Sequence, residues 1–345
     1  MPQLKIDFNE SLHANVVLKE LCSSCGACVL VCPFTCLEYN EEKPNLAKKC
    51  EACGICPRVC PRLEFSQRDL EKLAFGREHQ LSEEFGVFRR SVIAQATDNA
   101  ILRACQDGGV VSALLAYAFD AAVIDSAIVS DTGKEKPWFA VPRLISSTQE
   151  IPQCAGTRYT YSPSLLALQE AVKQKRKSLA FVGTPCQIQS LRKIEVFPLK
   201  KYSGIVKFTI GLMCTECFAY EGLMKKHIEE MLGVNLNDVK KINIKGKVLV
   251  YTESGQIKTV PLQEAKLYTR KGCLPCTDFS AELADISAGG LGLDGWTFTI
   301  LRSEKGEEIF NGAEKTGAIR TRSVTEEKFA SDLLVKLSKR KKTKA

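Results

Sequence analysis

Residues 21–63 read LCSSCGACVLVCPFTCLEYNEEKPNLAKKCEACGICPRVCPRL. The stretch says the same thing twice: CSSCGACVLVCP from Cys22 to Pro33, and CEACGICPRVCP from Cys50 to Pro61. Each copy has the spacing C-x2-C-x2-C-x3-C-P. Three close cysteines wrap one face of a four-iron cluster, and the fourth ligand comes from the other repeat. The pattern therefore assigns Cys22, Cys25, Cys28 and Cys60 to one [4Fe–4S] cluster and Cys50, Cys53, Cys56 and Cys32 to a second. Gly26 and Gly54 let the backbone turn tightly beside sulfur, and Pro33 and Pro61 end the ligand loops. Zinc is the competing reading, but zinc sites use four ligands with wider internal gaps. Cys36 is left over and reads as a small buried apolar residue. A module of this kind moves single electrons.

Working outward, the chain has 345 residues, enough for such a module and a larger domain with its own core. Sixteen cysteines are too many for an ordinary intracellular chain, and either disulfides or metal must explain them. Disulfide scaffolds are short and secreted. This chain is long, bunches nine cysteines between Cys22 and Cys60, and opens on MPQLKIDFNE, which has no apolar signal segment. Metal is the reading that fits. The longest apolar stretch, Val110 to Ile124, is interrupted by Asp120 and is too short to span a bilayer. The expectation is a cytoplasmic protein, with a peripheral seat on a membrane complex left open. The net charge of +8 gathers in Lys173–Lys177, Lys240–Lys247 and Lys336–Lys344. A solvated surface and a frayed terminus account for these runs. The sharper reading is an exposed tail that docks on an acidic partner. Nucleic acid is disfavoured, because no aromatic-and-basic motif accompanies the charge.

The sequence divides into a cluster module (residues 1–64), a polar connector (65–85), a larger domain (86–324) and a C-terminal helix with a basic tail (325–345). In the larger domain, strands are expected at 91–96, 122–129, 178–182 and 204–213. Helices are expected at 108–119, 164–175, 184–194 and 220–232. A hairpin should turn at Gly255 between 247–251 and 257–261. Strands and helices alternate, so the fold class is α+β, of mixed α/β character, with a two-cluster ferredoxin-like module ahead of the larger domain. No strand-linked G-x-G-x-x-G is present, so nothing supports a standard dinucleotide fold.

Seven cysteines lie beyond the repeats. Cys105 and Cys154 stand alone and read as structural. Cys186 in VGTPCQ, Cys214 and Cys217 in LMCTECF, and Cys273 and Cys276 in KGCLPC sit at strand ends or loops beside glycine or proline. That placement, with further C-x2-C pairs, suits a third metal group.

The stretches CQDGGVVSALLAYA (105–118), AGTRYTYSPS (155–164), VGTPCQIQSL (182–191), GLMCTECF (211–218), KGCLPCTDF (271–279) and ADISAGGLGLDGWTFTILRSEKGEEI (284–309) carry a resemblance. In that order they resemble the family of beta subunits of coenzyme F420 hydrogenases and dehydrogenases, and with the repeats they span nearly the whole chain. The resemblance implies a flavin-binding domain with FAD, a [4Fe–4S] cluster beside it, and a deazaflavin substrate. It implies Cys186, Cys214, Cys273 and Cys276 as ligands of that third cluster, leaving Cys217 out, with Cys217 in place of Cys214 as the open alternative. It further implies that reduced coenzyme F420 gives a hydride to FAD and that single electrons pass through the clusters to a partner subunit or ferredoxin. The direction is reversible in principle. No protein side chain is assigned a catalytic role, because the flavin carries the hydride chemistry.

The residues agree with a flavin. Gly108 and Gly109 open a helix whose free N–H groups and dipole suit a phosphate. Gln106 and Asp107 would cap that helix or meet adenosine and ribose. Gly156, Thr157, Arg158 and Tyr159 form a second cofactor loop, with Arg158 set to neutralise phosphate. Gly183 and Thr184 add a strand-to-helix turn. Gly289, Gly290, Gly292 and Gly295 make a loop that a flat ring could approach closely. Each glycine loop by itself is more often a plain turn. Two other functions remain open: a relative that reduces a chlorophyll-type pigment, and an electron-wire subunit without a flavin.

Overall fold

The computed structural model describes residues 6–197 and 199–343. In the cysteine-rich segment, β1 (Leu37–Asn40) and β2 (Lys43–Leu46) form an antiparallel hairpin between two one-turn helices, Ala27–Val31 and Ile55–Arg58. Gly26 and Gly54, each at positive φ, start those two helices, as turns beside sulfur require.

The larger domain is built on an eight-stranded mixed sheet. Its strands are β3 (Arg90–Ala96), β4 (Ser126–Thr132), β5 (Ala140–Ile145), β6 (Leu179–Gly183), β7 (Val206–Leu212), β11 (Ile286–Gly289), β12 (Thr297–Leu301) and β13 (Ile319–Arg322). A separate three-stranded sheet holds β8 (Val239–Ile244), β9 (Lys247–Thr252) and β10 (Ile257–Pro261). The large sheet runs β13-β3-β12-β11-β7-β6-β4-β5. Its centre is parallel from β11 through β7 and β6 to β4, and its flanks are antiparallel. The central strand β6, LAFVG, is buried along its whole length, as expected of a parallel strand covered on both faces.

Two apolar layers cover the sheet. On one, the helices Val110–Asp120 and Glu304–Lys315 bring Ala113, Leu114, Phe310 and Ala313 against Ala94, Ala127 and Phe208. On the other, the Pro185–Val196 helix brings Ile188, Leu191 and Ile194 against Phe181. Ala27, Leu30, Val31 and Val59 of the cysteine-rich segment belong to that same second layer. The segment is therefore packed into the core rather than tethered by the connector.

Buried charge fixes the assembly. Asp285 accepts from the backbone N–H and hydroxyl of Thr209, both at 2.8 Å, and faces the Arg192 guanidinium at 3.2 Å. Burial would raise its pKa, but Arg192, Lys305 and the hydroxyls of Ser303 and Thr209 outweigh that and hold it below the usual range. Arg302, also buried, donates to the carbonyls of Phe85 (3.0 Å) and Val87 (2.8 Å), pinning the end of the connector to β12.

Most expected elements are present within a few residues. The expected strand at 122–129 begins later, at Ser126, because Ala122 stands at positive φ in a turn. Tyr220–Met231 is a helix of widened, π-type turns. The largest difference is at the C-terminus. The Lys328–Lys342 helix runs through the basic residues that were expected to form an extended tail. Ala330, Leu334, Ser338 and Lys341 recur at helical spacing and form its buried stripe. Lys342 pairs with Glu282 at 3.0 Å and Lys339 with Glu84 at 2.6 Å. Lys344 lies outside the described residues. Among the described residues no helix is long and apolar enough to cross a membrane.

Candidate functional site: three cysteine groups and a glycine-walled cradle

The structure brings the cysteines of the two repeats together. Cys28 lies among Cys22, Cys25 and Cys60, with Cys56 also near it, and Cys56 lies among Cys50, Cys53 and Cys32. Burial pushes the thiols of Cys56 and Cys60 up to about 12. Backbone N–H groups point at sulfur: Ser24 at Cys22 (3.3 Å), Cys36 at Cys32 (3.2 Å) and Ala52 at Cys50 (3.4 Å). These short loops turn their amides inward, and such hydrogen bonds favour the charged thiolate. Cys53 is exposed at the outer group, while Cys25 in the inner one is buried with its sulfur 3.3 Å from the Ser190 hydroxyl. Cys36 is buried beside the outer group and donates weakly to the Phe34 carbonyl.

The cysteines of the third group come from three separate segments. Cys186, Cys214, Cys217, Cys273 and Cys276 line one recess with Tyr161, Thr184, Arg62 and Lys341. Cys186 sits in the first turn of the Pro185–Val196 helix; the Tyr161 hydroxyl is 3.2 Å from its sulfur and the Thr184 hydroxyl 3.3 Å. Burial pushes its thiol up to about 12. Cys217, absent from the set implied by the resemblance, is in the middle: its N–H donates to the Cys273 sulfur at 3.5 Å, and its thiol faces Cys214 and Cys273. The Cys217 side-chain hydrogen bond, opposed by burial and helped by the Cys217 backbone and Arg270, lowers Cys273 to about 6. Among the described residues no three His, Cys, Asp or Glu side chains close on a single point as a lone ion would need. The sulfurs instead line walls.

Cations surround this recess. Arg62, from the cysteine-rich segment, donates to the Gly272 carbonyl at 2.8 Å, while its buried Nε has no protein partner. Arg270 reaches back to the Ser24 hydroxyl and lies over the Tyr161 ring. Sequence reasoning missed Arg62, Arg270, Lys341 and Tyr161; none has a local signal, because each is brought in by a different element.

The first and third groups adjoin. A methyl at Gly272 would run into the Cys22 carbonyl oxygen, so residues 21–24 and 270–273 are in direct backbone contact. The Pro185–Val196 helix bridges the same two groups. It carries Cys186 at one end, Ser190 against Cys25, and Lys193, whose ammonium donates to the Cys60 carbonyl at 2.6 Å.

The expected flavin loops at 106–109, 156–159 and 289–295 meet one another. Gly290 lies so close to the Asp107 carboxylate that a side chain there would collide with it. A Cβ at Gly108 would come within 2.8 Å of the Ala94 carbonyl and the Thr297 amide. Gly109, at φ +72°, turns the chain into the Val110–Asp120 helix, whose first amides have no intrahelical partner. Gln106 holds the Ile242 carbonyl at 3.1 Å, and its own carbonyl oxygen accepts from the Thr157 N–H at 3.4 Å, tying three loops together. Burial raises the Asp107 carboxyl despite Lys245 and Lys241 nearby. Tyr159 is raised by burial and by Asp107. Gln95 donates to the Gly295 carbonyl at 2.5 Å. Gly289 packs on Met213, and Gly292 on Phe329.

Two of the expected cofactor segments make protein contacts. Arg158 folds back onto the carbonyls of Cys154 and Gly156, both at 2.8 Å, and of Ala155, with Asp131 at 3.7 Å. Its guanidinium clasps its own loop. Thr184 lines the third cysteine recess, where its hydroxyl meets Cys186, and Gly183 packs against Phe181 and Gln187. Cys105 and Cys154 stand apart from all three groups. Cys105 donates to the Asp107 carbonyl at 2.9 Å, and Cys154 is near Asp131 and Arg143.

Family models for the N-terminal and C-terminal parts of the beta subunit of coenzyme F420 hydrogenase/dehydrogenase match residues 91–169 and 176–327. The chain belongs to that family. It is 39% identical over 264 residues to the beta subunit of the coenzyme F420 hydrogenase of Methanococcus voltae, covering 75% of this chain and 93% of that one. It is 32% identical over 304 residues to a component of the F(420)H(2) dehydrogenase of Methanosarcina mazei, covering 86% and 84%. The second match is long enough to reach into the second cysteine repeat. A chain in the structure of the F420-reducing [NiFe] hydrogenase complex from Methanosarcina barkeri superposes with a TM-score of 0.72 at 38% identity, covering 76% of this chain and 91% of that one. The mixed α/β fold is thus shared with a protein of that complex. These relatives are components of F420-linked oxidoreductases, as is the beta subunit of the F420-dependent formate dehydrogenase of Methanocaldococcus jannaschii.

Proposed function

We propose that the protein oxidises reduced coenzyme F420 and passes the electrons singly to a partner subunit or a ferredoxin, and that the reverse direction is open to the same residues. The reading rests on family membership and, within this chain, on one contact: residues 21–24 against 270–273, which makes the three cysteine groups a continuous series. Cys22, Cys25, Cys28 and Cys60 would hold one [4Fe–4S] cluster, and Cys50, Cys53, Cys56 and Cys32 another. Four of the five thiols in the third recess would hold the innermost cluster. Cys186, Cys273 and Cys276 are common to both assignments, and Cys214 or Cys217 completes the set.

The residues fit such groups. Thiols that burial alone would keep protonated need a positive partner inside the pocket, and the orphaned Arg62 Nε needs an acceptor there. The glycines at 108, 109 and 290 let their backbones close on Ala94 and Thr297, on Ile101, and on the Asp107 carboxylate, beside the first amides of an eleven-residue helix. FAD bound there would supply a centre that takes two electrons as hydride and releases them one at a time. The protein's own work is positional. Gln106 ties the loops, Asp107 offers a carboxylate to a hydroxyl, and Lys241 and Lys245 bring positive charge toward an anionic substrate. The exposed Cys53 marks the end of the series nearest a partner.

Anaerobic iron and sulfide analysis should find about 12 iron atoms per chain. Cys186→Ser should lower that to about eight, and Cys105→Ser should leave it unchanged. Eight in the unmodified protein, or equal loss in both variants, would remove the third cluster from the reading. Reduction of an artificial dye by reduced coenzyme F420 should depend on bound FAD; a flavin-free protein would be an electron wire.

A further inference from the structure

The Lys328–Lys342 helix lies beyond the residues the family models match, and it ends with a lysine where a surface helix would carry water-facing charge. Lys341 is only 6% exposed and lines the recess of the third cysteine group. Among the described residues its ammonium makes no hydrogen bond or ion pair. The neighbouring basic residues behave differently: Lys339 and Lys342 are partly exposed and pair with Glu84 and Glu282. A lysine this little exposed gains from an anion beside its ammonium. The groups that share the recess with it are the sulfurs of Cys276, Cys214 and Cys273, with the Asp278 carboxylate behind them.

Resting on the reading that this recess holds a cluster, we propose that Lys341 is the built-in counter-charge of the innermost cluster and that the C-terminal helix closes its wall, raising the tendency of that centre to accept an electron. Four thiolates around a four-iron core leave a net negative charge, and each electron added makes it more negative. A fixed cation therefore favours the reduced form over the oxidised one. The electron arrives from the bound flavin and leaves for the cluster of Cys22, Cys25, Cys28 and Cys60, so no other reactant is needed. Arg62 and Arg270 add charge from two further elements, but each already serves a protein oxygen, the Gly272 carbonyl and the Ser24 hydroxyl. Lys341, which has no such bond among the described residues, is the cation that the C-terminal helix brings to the recess. It is a positioning residue that acts through the cluster, not a group that touches substrate.

The test is an EPR-monitored redox titration of the full-length, reconstituted protein, with Lys341→Met, Lys341→Arg and, as a surface control, Lys339→Met. Methionine keeps the length and apolar stem, so the helix stripe stays filled. Lys341→Met should make the innermost centre at least tenfold harder to reduce at a given poise, a shift of about 59 mV for a one-electron couple. Lys341→Arg should restore most of it, and Lys339→Met and the two outer couples should stay in place. Loss of the third cluster in Lys341→Met with its recovery in Lys341→Arg supports the same role. An unmoved inner couple in Lys341→Met overturns the inference while leaving the cluster reading intact, and loss of the third cluster in both variants also overturns it. A protein that holds only eight irons before any substitution overturns the cluster reading and the inference with it.

Discussion

Glu282 shows how far one side chain's setting departs from what its position in the sequence suggests. It lies in the loop between Cys276 and β11, with its carboxylate buried against Asp278 and Lys342. Burial, reinforced by Asp278, raises its pKa to about 7. A carboxyl that binds its proton more tightly folded than unfolded stabilises the protein when protonated. That advantage is complete below the unfolded value of about 4.5 and is lost as pH rises toward 7. Glu282→Gln should therefore flatten the fall in melting temperature between about pH 4.5 and 7, and at pH 8 should leave stability equal or higher. A pH profile parallel to that of the unmodified protein would show that Lys342 keeps Glu282 ionised throughout. Asp278 and Glu282 were present in the sequence only as two acidic residues that follow KGCLPC. Their burial was not legible there, because it depends on the C-terminal helix arriving from residues 328–342.

The loop and helix that join the cysteine groups set the next scale. Gly272 has φ in the ordinary range, yet it must be glycine, since any side chain would strike the Cys22 carbonyl. Gly272→Ala should push residues 270–273 away from 21–24 and loosen the Arg62 bond to its carbonyl. Rapid-mixing experiments should then show flavin reduction by reduced coenzyme F420 at an unchanged rate, with reduction of the outer clusters slowed at least tenfold. Equal slowing of both phases would mean that the loop supports the hydride site instead. The repeat spacing made the two outer groups legible, because their ligands lie on one continuous segment. Cys186, Cys273 and Cys276 were singled out by their turns and by the resemblance. Cys217 was excluded on the resemblance, and only the packing of 214–218 along 269–273 shows it facing Cys214 and Cys273.

Across the whole molecule, the cysteine-rich segment and the sheet share one apolar layer. Sequence composition suggests a module, a linker and a separable catalytic domain. In space, Leu30, Val31 and Val59 pack with Ile188 and Leu191, Lys193 holds the Cys60 carbonyl, and Arg62 enters the third recess. Removing residues 1–64 would bare that layer, and burying a side chain such as leucine is worth roughly 1.5–3 kcal/mol. The truncated protein should melt well below the full chain and lose the third cluster along with the first two. Iron near four per chain, with an unchanged melting temperature, would mean that the larger domain stands alone.

What the sequence determined by itself was carried on contiguous residues: two groups of cysteines set by a repeated spacing, the alternation of strands and helices, and the family from ordered motifs. These are local because a ligand loop or an amphipathic period is read within a dozen residues. What only the tertiary structure decided was which distant groups share a dry volume. Arg158 turned to its own carbonyls and Thr184 to Cys186, while Lys341 left the surface for the cysteine recess. Such choices follow from burial, which removes water and obliges each polar group to find the partner that the folded chain happens to bring beside it.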